Sequence, residues 1–141
     1  LVNQFSINMT NKSKKILSEI SAGELLDKIS ILEIKREKIK DKNSLDEINK
    51  EYKMLMSAQN SSIELTDKIE QLFKKIKKIN TNLWDIEDKL RICEKNKDFG
   101  KNFTDLARGV YLNNDKRSKI KLEINKKLRS NIREIKQYVN Y

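Results

Sequence analysis

Nine apolar residues from Leu65 to Cys93 (Leu65, Ile69, Leu72, Ile76, Ile79, Leu83, Ile86, Leu90, Cys93) recur at alternating spacings of four and three. This is an unbroken a/d seam, the pattern of a long helix that buries one stripe against neighbouring helices. The spacing predicts a helix over residues 63–96, on the order of 50 Å long at ~1.5 Å per residue. Nothing in the composition opposes that length. Proline, which ends helices, is absent, and glycine, which weakens them, occurs only at Gly23, Gly100 and Gly109.

The same reading places three more helices. Ser21 and Glu24 have capping-box spacing. Leu25, Leu26, Ile29, Leu32, Arg36 and Ile39 follow with helical period, giving a helix over 22–40. Ser44 and Glu47 repeat the capping spacing before Leu45, Ile48, Tyr52 and Leu55, a shorter helix over 45–58. Residues 59–62 read as a loop. After Lys97-Asp98-Phe99-Gly100, where glycine suits a left-handed turn, a helix over 102–129 carries Phe103, Leu106, Val110, Asn113, Arg117, Ile120 and Ile124. Its spacing slips beyond Leu128, which predicts a break near Ser130. Residues 1–20 read as a mobile polar arm with a turn of helix near Ile16–Ile20. The segment before Met9 is set aside as a tag remnant, read-through or fragment edge. The expected fold is all-α, with residues 21–141 as one domain. It is an antiparallel helical bundle built on a long coiled-coil-like αα-hairpin, with a shorter helical hairpin docked on it.

Composition excludes several functions. There is no histidine, so the commonest metal ligand and general base are missing. The single cysteine, Cys93, forms no intramolecular disulfide and has no histidine to activate it. No P-loop, dinucleotide fingerprint or zinc spacing is present. No apolar run approaches a membrane span or a signal-peptide core, so no membrane insertion and a cytoplasmic location are expected. The net charge is +10. It suits an anionic partner such as nucleic acid, but 25 of the 31 basic residues are lysine, the ordinary filler of exposed helix faces.

Polar residues on apolar stripes carry the functional signal. Arg36 lies on the stripe of the first helix, and Asn113 and Arg117 lie on that of the fourth. A buried arginine needs a carboxylate. An antiparallel pairing pivoted at residues 99–102 sets Trp84, Asp85 and Asp88 near Asn113–Arg117. Trp84, Asp88 and Arg91 share a second face of the third helix, and Asn114 and Asp115 extend the polar group on the fourth. Arg36, Trp84, Asp85, Asp88, Arg91, Asn114, Asp115 and Arg117 are therefore the candidate ligand-binding residues. The same group also reads as a salt-bridge network that fixes register. The carboxylate pairs Asp85/Asp88 and Glu24/Asp27 are spaced to hold Mg²⁺ in a hydrolase. No catalytic residue, cofactor or metal ligand is assigned on that spacing.

Three segments, Ser21–Lys35, Asn82–Arg91 (NLWDIEDKLR) and Phe99–Asn125 with its LARGVY and Asn114-Asp115-Lys116-Arg117 runs, resemble a small bacterial family of uncharacterised, mostly helical proteins. The resemblance implies a helical fold; the family has no established activity, so it carries over no catalytic residue. That family's end reads roughly Glu-Glu-Lys-Ser-Tyr, whereas this chain has Glu134-Ile135-Lys136-Gln137-Tyr138. The expected function is a non-enzymatic helical interaction or scaffold protein that self-associates as a homodimer or engages another protein. Two alternatives stand behind it. One is a small-molecule or nucleotide-binding bundle, extended to a Mg-dependent hydrolase. The other is nucleic-acid binding through the basic C-terminal helix, with Lys126, Lys127, Arg129, Arg133, Tyr138 and Tyr141.

Overall fold

A computed structural model describes residues 13–141; most of the predicted N-terminal arm lies outside them. Among the described residues there are four helices and no strands: α1 (Ala22–Lys38), α2 (Lys42–Ser62), α3 (Asp67–Lys95) and α4 (Lys101–Lys127). The protein is an all-α bundle. Residues 13–20 form no helix, and Ile16 and Leu17 are exposed, so the turn expected there is absent.

Caps set the boundaries. Ser21 accepts a hydrogen bond from the Glu24 amide at 3.1 Å and starts α1. The cap of α2 is Asp41, not Ser44; its carboxylate takes both the amide and the hydroxyl of Ser44 at 2.8 and 2.7 Å. A carboxylate there also meets the positive end of the helix dipole. Residues 59–62, read as a loop, are the last turn of α2, and the buried Gln59 lies within it. Thr66 caps α3, which leaves Leu65 outside the helix and exposed.

Both long helices end alike. Asp98 N–H reaches back to Cys93 O and Lys97 N–H to Glu94 O; Ser130 N–H and Arg129 N–H repeat the pattern on Asn125 O and Lys126 O. These are Schellman closures. The left-handed residues are Lys97 and Arg129, with φ of 53° and 50°. Gly100, expected to be left-handed, has φ −80° and caps α4 instead.

α3 and α4 make the most extensive contact and run antiparallel. Ile86 faces Gly109, where an added Cβ would come within 3.0 Å of the Ile86 side chain, and Cys93 lies beside Asn102. α1 packs on both, and α2 packs on α1 alone. Leu25, Leu26, Ile29, Ile69, Leu72 and Ile124 form the core, with Tyr52, Leu55 and Met56 of α2 partly buried against it. α1 ends level with Asp85, where Lys38 approaches that carboxylate at 3.9 Å. α3 continues about ten residues, or ~15 Å, beyond that point.

Candidate functional site

The contact between α1 and α4 is built from polar residues. On α4, Asn113, Arg117, Lys121 and Asn125 recur every four residues and form one stripe. Three of them reach α1. Asn125 Oδ1 accepts the Gly23 amide at 2.7 Å, and Ser130 Oγ accepts the Ala22 amide at 3.0 Å. Two amides that a helix start leaves unpaired are thus satisfied from the far end of the chain. Gly23 is required by this approach, because a Cβ would lie 2.6 Å from Lys121 O.

Lys121 follows one turn earlier. Its ammonium binds Glu24 at 2.6 Å and Glu134 of the C-terminal segment at 2.8 Å. Burial pulls its pKa down, but the hydrogen bonds to Glu134 and Glu24 outweigh that and raise it. Arg117 comes next. Its Nε and Nη2 fork onto the two oxygens of Asp27 at 2.8 and 2.5 Å. Asp27 is fully buried, and Asn80 of α3 donates to its Oδ1 at 2.9 Å and to Ser30 Oγ at 2.8 Å. The Asp27 hydrogen bond raises the Arg117 pKa against the effect of burial. Among the described residues no buried side-chain nitrogen or oxygen lacks a partner. A charge buried this deeply is tolerable only with such full pairing.

Asp27, Asn80 and Ser30 were absent from the candidate list, and the predicted partners of Arg117 were wrong. The contacts Ile86–Gly109 and Cys93–Asn102 shift the α3–α4 register by more than a turn from the one expected. Arg117 therefore sits level with Asn80, below the Asp85–Asp88 acids. Asn113 turns back to Gly109 O at 2.7 Å and stays out of the network. A visible signal was available: Asp27 falls one turn after Gly23 and just before Ser30, a polar line beside Leu25, Leu26 and Ile29.

The candidate residues divide among several places. A groove of about 370 Å³ opens where α1 meets α3, with Ile31, Ile34 and Leu83 as its apolar lining. Trp84, Asp88, Arg91, Asn80 and Arg117 complete it with Glu87. Asn114 approaches Arg117 Nη1 at 3.5 Å. Asp85 is off the groove, near Lys38. Arg36 is exposed, with its guanidinium 4.2 Å from the centre of the Tyr52 ring, so it is a surface stack and not a buried charge. Asp115 belongs to a second groove of about 710 Å³ between α4 and the C-terminal segment. There it accepts the Tyr141 hydroxyl, which raises the Tyr141 pKa, and Tyr141 packs edge-on to Tyr111 at 5.8 Å.

The Glu24/Asp27 spacing does not gather two free carboxylates. Asp27 and Glu24 are committed to Arg117 and Lys121. Among the described residues no three metal-ligating side chains converge, and no helix is long and apolar enough to cross a membrane.

A family model described as a family of unknown function, DUF6165, matches residues 16–141. The chain belongs to this family. Neither the curated proteins nor the solved structures contain a match to it. The matched span takes in all four helices and the Glu134 segment that closes on Lys121.

Proposed function

We propose that this DUF6165 member is a non-enzymatic helical interaction protein that pairs with a second copy of itself through the projecting ends of α3 and α4. The observation that carries this reading is the half-covered seam beyond the end of α1. Ile86, Leu90, Phe103, Leu106 and Val110 are only partly buried there, and Ile92 and Phe99 are more than half exposed. Two helices alone bury too little of such a seam, and a second pair would cover it as in a four-helix bundle.

Charge supports the choice of a like partner. From Ile86 to Leu112 the chain carries six basic and five acidic residues, so the projecting end is nearly neutral on a protein of net charge +10. Glu94–Lys97 and Lys101–Asp105 are paired at its surface. A symmetric contact needs a self-complementary patch, and a charge-balanced end offers one.

Sedimentation equilibrium tests the reading with Ile92→Glu combined with Phe99→Glu. Both side chains are exposed within one chain, so the variant should fold and melt as the parent does. The parent is expected to be a dimer and the variant a monomer. A parent that is monomeric at micromolar concentration overturns the proposal.

A further inference from the structure

The groove beside Trp84 lies at the base of the projecting end, on the side where α1 meets α3, and its polar groups are unequally occupied. Arg91 is bound to the Glu87 carboxylate at 2.5 Å and to Glu87 O at 2.9 Å. Arg117 is forked onto Asp27. Each guanidinium thus already faces a carboxylate at charge-assisted distance. Asp88 is different. It lines the groove one helical turn from Trp84, and among the described residues no cation lies within ion-pair distance of it.

Asn80 adds a second acceptor. It spends its amide hydrogens on Asp27 and Ser30, which leaves Oδ1 as an acceptor at the groove wall. Trp84 adds a third electron-rich surface, since the face of an indole carries negative charge density and is the best cation–π partner among side chains. The lining acids Glu87 and Asp88 match Arg91 and Arg117 in number, but Arg117 is already neutralised by Asp27 behind the wall and Arg91 by Glu87, which leaves the Asp88 charge in excess. One uncompensated carboxylate thus faces the groove on a strongly basic chain. We infer that the groove binds an organic cation, an ammonium or guanidinium group stacked on Trp84 and paired with Asp88. Its volume of about 370 Å³ suits one basic side chain or a small amine, with Ile31, Ile34 and Leu83 receiving the aliphatic stem.

The only tryptophan in the chain reports on the site. Titrating the full chain with agmatine should change Trp84 fluorescence saturably. Asp88→Asn should weaken binding by about tenfold or more, the loss expected of one charge-assisted pair. Asp85→Asn removes an acid three residues away that does not line the groove, and should leave the titration unchanged. Both positions are exposed, so circular dichroism should show the same fold in all three proteins. Three outcomes overturn the proposal: no saturable response at millimolar agmatine, an equal response in Asp88→Asn, or a saturable response to inorganic phosphate in place of agmatine.

Discussion

Alongside α1, the α3–α4 pair encloses Ile69, Leu72 and Ile76 with at most 2% exposure; past the end of α1, Ile86, Leu90 and Leu106 are partly exposed and Ile92 is 57% exposed. Both halves carry one heptad pattern, so periodicity alone cannot explain the difference. What differs is the third helix. α1 closes the first half and brings Asp27, Glu24 and the Gly23 amide to the polar stripe of α4. The second half has no such cover, and only Cys93 is fully buried there, beside Asn102. A seam states which face of a helix seeks cover and is silent on what supplies it.

The largest effect should come from the closed half. Asp27→Ala removes the acceptor of three hydrogen bonds and leaves Arg117 without its carboxylate and Asn80 with its Ser30 bond alone. Breaking a buried pair from one side costs about 3–5 kcal/mol. A urea melt should show that loss, and an equal loss from Glu87→Ala, which breaks an exposed pair with Arg91, would erase the contrast.

Cavity formation sharpens the same contrast. Leu72→Ala, at a position with no exposure, should cost about 2–5 kcal/mol. Leu90→Ala should cost about 1 kcal/mol in the monomer, because less apolar area leaves water's absence there. Thermal melts at two protein concentrations separate the cases. If a second copy covers the open half, the Leu90→Ala deficit grows with concentration and the Leu72→Ala deficit does not.

Much of the fold was legible because helix seams and caps are local. Four helices followed from spacing alone, and buried Ile69, Leu72, Ile76, Ile79 and Cys93 all belong to the predicted seam. The site was harder, since partnership across helices depends on register. An error of more than one and a half turns in pairing α3 with α4 sent Arg117 to Asp85–Asp88 instead of the level of Asn80 and Asp27. The expectation of a left-handed Gly100 fails for a different reason: the Schellman closure of α3 falls on Lys97, and Gly100 caps the next helix. Asp27 was noticed only as one half of a carboxylate pair with Glu24, and the two carboxylates bind different cations.

The close approach at the start of α1 predicts a smaller loss. Gly23→Ala would set a Cβ 2.6 Å from a backbone oxygen that cannot move without α4. Overpacking of this kind costs about 1–3 kcal/mol. Hydrogen exchange should show the loosening first at Ala22–Leu26 and Lys121–Asn125, and a uniform change over all four helices would contradict this account of the α1–α4 contact.

The C-terminal segment responds to acid. The Lys121 hydrogen bond lowers the pKa of Glu134 below its ordinary value of 4.5. A carboxyl whose folded pKa is depressed stabilises the fold above its unfolded pKa, and the gain is lost as pH falls through the folded value. Docking of residues 134–141 should therefore hold at pH 7 and weaken only as pH falls below the ordinary carboxylate range. Tyrosine fluorescence of Trp84→Phe, followed from pH 7 to pH 3, should show the release before the helices melt. The Glu134→Gln variant should start released and show no such step.

The smallest effect tests the outer helix. α2 rests on α1 alone, and Arg36 spans the two by stacking on Tyr52. Arg36→Ala should cost about 0.5–1 kcal/mol, the range for an exposed cation–π contact. Arg36→Lys should recover part of that, since an ammonium keeps the charge and loses the flat stacking surface. A cost near that of Asp27→Ala would instead make Arg36 a buried charge, as its place on the apolar stripe first implied, and would move the polar centre of the bundle toward α2.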